Sequence, residues 1–339
     1  ISFMVKLGRE KLETAIDLVG QLVSEPLLPG DKIAKEKKII VGEIKFRDDD
    51  PQIRAARGLW ELVYQGANLS RPIAGTFATV KGMTAAKLND YLERWFVPGN
   101  TIVGIVGKWE SEKEVLRLVR HSFAPLLKRA KVVPPKDRYI NHGQDRAQTR
   151  LIKRLKMKQA TVCLGFRSFG VGHKLDTTRL LMNIIFGGAW FSRLFKEIRE
   201  NRGYAYSIGS WVEALSDTGG VFVEAGLSKD GLVRAVGLIK EITFGLGGNG
   251  KWAIRQEDVN MARECYKERV SLKYDSPERI LGSALYDLMF EGKIYSAEEL
   301  KKEADEVTLE KMKQLIQTTF REERLNLVVL GDYQKLPPI

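Results

Sequence analysis

Sulfur and imidazole ligands are scarce in this chain, which has two cysteines and three histidines among its 339 residues. Cys163 lies in the apolar segment Thr161–Phe166, Cys265 lies in a segment of helical character, and no CxxC pair is present. Metal binding by cysteine is therefore not supported, because such sites use closely spaced cysteine pairs. Two separated cysteines indicate free thiols and a reducing compartment, so we expect a cytoplasmic protein.

Long apolar runs are also missing. No stretch of 18 consecutive apolar residues occurs, so the sequence predicts no membrane-spanning helix and no membrane partner. With 44% hydrophobic and 29% charged residues, the composition is typical of a globular protein, and the length allows two domains.

The formal net charge is +12, which fits nucleic acid, an anionic membrane surface or an acidic substrate as a partner. The lysines and arginines are spread along the chain, however, without a homeodomain, zinc-finger, RRM or KH signature. We interpret them as a solvated basic surface and expect no nucleic-acid partner. The glycines at Gly187–Gly188 lack the GxxxxGKS/T spacing of a phosphate-binding loop, so no nucleotide cofactor is indicated.

The chain repeats itself without a gap at an offset of 224 residues, where Thr84–Trp109 reads like Thr308–Tyr333. Each copy has an amphipathic helix followed by an apolar segment, which predicts strands at Thr101–Val106 and Leu325–Leu330. A second match, at an offset of 220, aligns a predicted strand at Phe3–Leu7 with Val223–Leu227. The repeat therefore predicts two related domains.

The two copies differ in one respect. The second copy carries residues 149–220 before its matching strand, and the first copy has no counterpart of this stretch. The chain also begins with Ile1 rather than methionine, at what would be mid-domain. We therefore expect that the first domain is truncated at its N-terminal side.

Helices and strands group along the chain rather than alternating strictly, which favours an α+β fold with helices over a largely antiparallel sheet in each domain. We expect a first domain at 1–127 and a second at 147–339. The segment 128–146 is rich in Lys, Pro, Asp, Asn and Gln, which is typical of a linker. Helices are also predicted at 52–64, and at 191–201 after the Gly-Gly pair.

Two pairs of polar residues stand out at equal spacing. Glu36 and Glu43 lie seven residues apart on a predicted helix, which places both carboxylates on nearly the same face. Taken alone, most such pairs are solvent-facing charges. Arg199 and Tyr206 are also seven residues apart. Taken alone, Arg199 would be interpreted as a charge on a helix surface and Tyr206 as an ordinary aromatic residue of a strand.

The segments around these residues resemble the M16, or pitrilysin, metallopeptidase family. Gly187–Ser210 matches a GG-x-x-SRLF-x-x-x-RE-x-x-G-x-AYS pattern, and Glu36–Pro51 resembles a helix of the form ERxVVxxEI that ends in DDP. Arg71–Thr76 is similar to the RPIxGT loop of the family. These motifs occur in the family's order from Ile1 to about Asp332. The resemblance implies a fold of the LuxS/MPP-like metallohydrolase type.

The resemblance also implies roles. Members of this family bind zinc through an H-x-x-E-H helix and a later glutamate, which corresponds to Glu43 here. Glu36 corresponds to a second glutamate that supports the catalytic site. Arg199 and Tyr206 correspond to the arginine and tyrosine that contact the peptide substrate and stabilise the oxyanion. Zinc would be the cofactor.

The sequence departs from the family at the zinc-binding motif itself, because it contains no H-x-x-E-H. None of His121, His142 and His173 has a histidine partner at helical ligand spacing, so we interpret each as a surface or structural residue. The zinc site is incomplete in this chain. We expect the chain as given neither to bind catalytic zinc tightly nor to hydrolyse peptides.

Three functions remain open at this point. The first is a zinc-dependent endopeptidase subunit that hydrolyses peptides or unfolded segments and lacks its upstream motif here. The second is a non-catalytic or structural M16 partner subunit. A nucleic-acid-binding module is a distant third, indicated only by charge. The first two functions would use the same fold. For both we expect a homodimer, or a heterodimer with another M16 subunit.

Overall fold

The computed structural model describes residues 1–129, 144, 146–336 and 338. Most of the predicted linker, and His142, lie outside these residues. The chain forms two compact units: unit 1 comprises Ile1–Lys45, Ala74–Asp137 and Ser276–Leu285, and unit 2 comprises Phe46–Ile73, Arg138–Asp275 and Tyr286–Ile339. These units are defined by contacts within each unit, and their bounds differ from those of the predicted domains at 1–127 and 147–339. The domain bounds stay a prediction.

The first part of the chain is helical. Side-chain caps begin several of its helices: Thr84 Oγ1 accepts from the Lys87 amide, and Ser111 Oγ accepts from the Glu114 amide. The helices are α1 (Leu12–Ser24), α2 (Gly30–Asp49), α3 (Pro51–Val63), α4 (Phe77–Lys81), α5 (Ala85–Trp95), α6 (Glu112–Ser122) and α7 (Ala124–Leu127). In unit 1, α1 packs on α6 through a small core of Ile16, Val115 and Leu118.

The two strands predicted for this part of the chain are wrong. Residues 3–7 and 101–106 form no strand, and no strand occurs in the described residues of unit 1. A strand requires a hydrogen-bonded neighbour, and neither segment has one. Ile102 and Val103 each remain 43% exposed.

Unit 2 is built on a five-stranded sheet. The strands are β1 (Gln148–Lys153), β2 (Gln159–Ser168), β3 (Ala205–Ala214), β4 (Gly219–Ser228) and β5 (Asn326–Gly331). Their order is β1-β5-β2-β4-β3, with β1 and β5 parallel and the other neighbours antiparallel. The structure therefore confirms the α+β class and a mainly antiparallel sheet, with β3 at one edge and β1 at the other.

Helices cover both faces of this sheet, which explains why residues 160–166 of β2 are all buried. On one face, α3 packs through Leu59 and Val63 against Cys163, Phe222 and Val328. The opposite face carries the larger core. The remaining helices are α8 (Asp176–Phe186), α9 (Leu232–Gly245), α10 (Gln256–Lys273), α11 (Pro277–Glu291), α12 (Ala297–Asp305) and α13 (Leu309–Thr319).

Both cysteines are free thiols, as expected; Cys163 is buried and Cys265 is partly exposed. In the part of the chain that the structure describes, we find no helix with the length and apolar character needed to cross a bilayer.

Candidate functional site

The predicted site residues fall in both units. Glu36 and Glu43 lie on α2 within unit 1, whereas Arg199 and Tyr206 belong to unit 2. Both glutamates are exposed, and seven residues of helix separate them by about 10 Å along the axis. Ile44 is the buried residue of this helix, so the carboxylates project from a helix that is mostly solvated.

Glu36 and Glu43 do not belong to a complete zinc site among the described residues. A zinc site requires three or four ligands at bonding distance. No group of three His, Cys, Asp or Glu side chains that could bind a metal occurs among the described residues. His121 lies in the last turn of α6, and His173 Nδ1 accepts a hydrogen bond of 3.2 Å from the Leu175 amide.

In unit 2 the Gly187–Gly188 turn is attached to three elements. The Asn183 carbonyl at the end of α8 accepts from both glycine amides, at 3.1 and 2.7 Å. The Ser210 amide of β3 donates to the Gly187 carbonyl at 3.0 Å, and Arg269 of α10 donates to the Gly188 carbonyl at 2.8 Å. A Cβ atom at Gly187 would lie 2.6 Å from Ser210 Oγ, so only glycine allows this close approach.

Arg199 is presented by an unusual helix. The helix predicted at 191–201 is present from residue 193 to residue 200, and it is a π-helix at Phe195–Glu200. This geometry is rare overall but frequent at functional sites. Leu194 and Ile198 bury their side chains in the core. The exposed guanidinium of Arg199 lies 4.9 Å from the centre of the Phe195 ring, a cation–π contact that orients it.

Tyr206 occupies a β-bulge. Ala205 pairs with Leu227 and Ser207 pairs with Gly226, so the residue between them has no partner on β4. A bulge redirects the side chain of its extra residue, and Tyr206 is 69% exposed. The Tyr204 amide bonds to the Ile198 carbonyl at 2.9 Å, which joins the start of β3 to the end of the π-helix. Arg199 and Tyr206 thus lie at the same end of β3.

The free edge of β3 adjoins these residues. The Ser210 amide points away from β4, because it bonds to Gly187, and by alternation Ile208 and Val212 also present their backbone groups outward. Among the described residues, Ile208 forms no backbone hydrogen bond beyond β4. Ile208 is only 7% exposed, however, so its backbone groups are largely covered by the protein itself.

Sequence reasoning missed the bulge, the π-helix and one exposed aromatic residue, Trp190. The sequence carried no signal for the exposure of Trp190, because position 190 lies four residues before the buried Leu194 and eight before the buried Ile198, which is helical spacing.

Comparison with known proteins identifies the family of this chain. A family model described as the peptidase M16 inactive domain matches residues 82–264, more than half of the chain. An uncharacterized zinc protease of Mycobacterium leprae is 27% identical over 95% of this chain and 71% of its own length. An uncharacterized zinc protease of Bacillus subtilis is 23% identical over 95% of this chain and 76% of its own length.

Solved structures share the fold. A peptidase M16 inactive domain from Pseudomonas fluorescens superposes with a TM-score of 0.85 at 18% identity, over 98% of this chain and 77% of that one. A protease from Helicobacter pylori gives a TM-score of 0.83 at 16% identity, over 96% and 77% of the two chains. At these identities the likeness concerns the fold alone.

Proposed function

Because the chain belongs to the M16 peptidase family, we propose that it is a non-catalytic, peptide-binding subunit. Unit 2 holds an extended peptide or unfolded segment beside Arg199 and Tyr206, at the start of β3. A second chain, either a copy or another M16 subunit, completes the assembly. Peptide-bond hydrolysis is then the task of a subunit that has a complete zinc site.

The observation that carries this proposal is the arrangement at the β3 edge. Arg199 and Tyr206 are both exposed and lie at the same end of β3. Arg199 supplies a fixed cation and Tyr206 a phenol donor at the same end of this edge. Both groups can hydrogen-bond peptide carbonyls or a carboxylate.

A second candidate function is zinc endopeptidase activity. The curated relatives are named zinc proteases, and Glu36 and Glu43 match the family's glutamates. In that function Glu43 is a zinc ligand and Glu36 supports the catalytic site. The described residues do not favour it, since they offer no group of three metal ligands that includes Glu43.

A binding experiment separates these candidates. Fluorescence anisotropy of a labelled, unstructured Ala/Ser peptide is measured with the full chain, together with metal content and peptide cleavage. We expect binding without cleavage, and binding about tenfold weaker in Arg199→Ala, as for loss of an arginine hot spot. Arg321→Ala, which removes an exposed arginine after α13, is the matched control.

Other results contradict the proposal. Cleavage that is inhibited by a chelator and lost in Glu43→Gln would establish the endopeptidase. If the wild-type chain binds no unstructured peptide, the peptide-binding function is wrong.

A further inference from the structure

The connection between β1 and β2 in unit 2 carries a dense positive charge. Residues 153–158, which we call the basic turn, read Lys-Arg-Leu-Lys-Met-Lys. No Asp or Glu occurs anywhere from Arg146 to Leu175, and Lys153, Lys156 and Lys158 are exposed. The basic turn therefore presents cations to solvent without carboxylates of its own to neutralise them.

The basic turn is fixed at one end of the sheet. Since β5 lies between β1 and β2, the turn crosses the carboxyl end of β5. The Arg154 amide donates to the Gly331 carbonyl at 3.0 Å, and the Lys156 amide donates to Asp332 Oδ2 at 3.3 Å. Met157 packs against the core beneath α3. Backbone and side-chain contacts thus hold the turn in one shape.

The tip of the turn has two unusual features. Lys156 has a φ of 62°, and among the described residues it is the one non-glycine residue with positive φ. Glycine or asparagine adopts this left-handed conformation more easily, and strain of this kind concentrates at functional sites. Leu155 is 70% exposed, whereas Met157 points to the core. The turn therefore holds one leucine out between cations.

A neighbouring loop adds a fifth cation. Lys229, which follows β4, lies 3.8 Å from the same Asp332 oxygen that accepts from the Lys156 amide. The Lys229 carbonyl also accepts from the Tyr333 hydroxyl at 3.4 Å, which fixes this loop to the residue after Asp332. Asp332 and Asp230, the residue after Lys229, are the carboxylates of these segments. Five cations thus stand against two carboxylates, and the charge at this end of the sheet is positive.

We propose that the basic turn is a contact surface for anionic phospholipid headgroups. The negative potential of an anionic leaflet attracts lysine and arginine side chains at its surface, and Leu155 enters the boundary between headgroups and acyl chains. Such contact is peripheral and requires no spanning helix. The expectation of no membrane partner rested on the absence of long apolar runs, which concerns spanning alone. This proposal is independent of the proposed peptide-binding function.

The composition of the surface favours lipid over other anionic partners. Four of its five cations are lysines, whereas nucleic-acid and protein interfaces favour arginine, whose planar donors bind in a bidentate way. The basic turn also has no aromatic residue on which a base could stack. A diffuse negative surface requires net charge and no fixed donor geometry, and an exposed leucine has a place in lipid.

Vesicle sedimentation tests this proposal. The full chain is mixed with phosphatidylcholine vesicles that contain or lack phosphatidylserine, and the bound fraction is measured. We expect binding only to the vesicles with phosphatidylserine. Raising the ionic strength from about 0.1 M to about 1 M should abolish it, because the Debye length falls from about 10 Å to about 3 Å.

Variants of the turn assign the contact. Lys156→Asn combined with Lys158→Gln should weaken binding to phosphatidylserine vesicles by at least about tenfold, since each cation near an anionic surface contributes about fivefold. Asparagine is used at position 156 because it tolerates the left-handed conformation. Leu155→Ser should also weaken binding, since it removes the apolar contact.

A matched control removes the same charge elsewhere in unit 2. Lys251→Gln combined with Lys302→Gln neutralises two exposed lysines, one in the connection between α9 and α10 and one in α12. This variant should bind vesicles as the wild type does. Far-ultraviolet circular dichroism of each variant checks that the fold is intact.

Several results would overturn the proposal. These are equal binding to both kinds of vesicle, no binding to either, and equal losses in the turn variant and its control. Duplex DNA of random sequence and polyglutamate are tested with the same proteins. If the turn variant weakens binding to one of these while the wild type binds no vesicles, the turn contacts that polyanion and the lipid proposal is wrong. Anisotropy with the unstructured peptide reports on the proposed function separately.

Discussion

The Ser210 amide donates a hydrogen bond of 3.0 Å to the Gly187 carbonyl, and this bond joins the edge strand β3 to the turn that carries Trp190. The two residues are 23 positions apart in the sequence, and each is packed against the other. The geometry of the candidate peptide surface therefore depends on a contact that no local sequence pattern encodes.

Substitution of Gly187 tests this contact. In Gly187→Ala the new methyl group would lie 2.6 Å from Ser210 Oγ and 2.9 Å from the Ser210 amide nitrogen. We expect a loss of about 1–3 kcal/mol in the free energy of unfolding, as for overpacking, measured by urea denaturation. Gly237→Ala is the control, because nothing lies within 4 Å of its Cβ position in α9; it should stabilise the protein by up to about 1 kcal/mol. Equal effects of both substitutions would contradict the close packing.

The ion pair between Arg193 and Asp258 anchors the segment after Trp190. Asp258 is largely buried and also accepts a hydrogen bond of 2.8 Å from the Arg255 amide. We expect Arg193→Met to lower the free energy of unfolding by about 3 kcal/mol, since it leaves a buried carboxylate without its cation. Adding Asp258→Asn should recover part of this loss. If Asp258→Asn lowers the free energy of unfolding by the same amount in Arg193→Met as it does in the wild type, the two residues are not coupled.

Glu224 on β4 makes stability depend on pH. Burial, and secondarily the charge of Asp50, raise the pKa of its carboxyl above the ordinary value of 4.5. A raised pKa means that the folded protein holds this proton more tightly, so the contribution to stability is complete below pH 4.5 and is lost as pH rises through the folded-state pKa. We expect Glu224→Gln to be more stable than wild type at pH 7 and equal to it at pH 3.5. Urea denaturation at both values measures this, and a difference that persists at low pH would implicate packing instead.

The two thiols should differ in reactivity. Burial, with a smaller effect of Glu224, raises the pKa of the Cys163 thiol well above its ordinary value of 9.0. Since the thiolate is the reactive form, we expect a maleimide at pH 8 to label Cys265 in the folded protein and to spare Cys163. Mass spectrometry of the digested protein gives the result directly. Labelling in denaturant should modify both thiols, and rapid modification of Cys163 in the native protein would contradict its burial.

The repeat allows an internal comparison by hydrogen exchange. Residues 101–106 and 325–330 have similar sequences, yet only the second segment contributes to a strand, β5, which is fully buried. We expect amides of 327–330 to be protected to nearly the global stability of unit 2, and those of 102–106 to exchange rapidly. Comparable protection of the two segments would show that the first is hydrogen-bonded in solution.

Local signals predicted much of the helical structure. Thr84 and Thr308 each begin a helix by accepting from the amide three residues on, Lys87 and Lys311, as their shared sequence indicates. The predicted helix at 52–64 matches α3, which Asp50 caps. Such features depend on residues within one turn of each other, and a single sequence contains them.

The strands of the first copy show the limit of that reasoning. Thr101–Val106 has the apolar pattern of a strand, but pairing depends on neighbours elsewhere in the chain, and the pattern carries no information about them. The π-helix that contains Arg199 and the bulge at Tyr206 likewise depend on distant parts of the chain: the first packs Ile198 into the core, and the second lies in the pairing of β3 with β4. The roles of Glu36, Glu43, Arg199 and Tyr206 came from the resemblance and stay proposals.

The Gly187 turn has a consequence for self-association. Open sheet edges recruit further strands and begin aggregation unless they are interrupted. By bonding to Ser210 in the middle of β3, the turn divides that edge into two short stretches, and the Ala214 carbonyl at its far end accepts from the Tyr286 hydroxyl at 3.4 Å. Two copies placed edge to edge would form too few consecutive hydrogen bonds to extend into a fibre. The hydrogen bond between Ser210 and Gly187 therefore also limits association of the protein through the edge of its sheet.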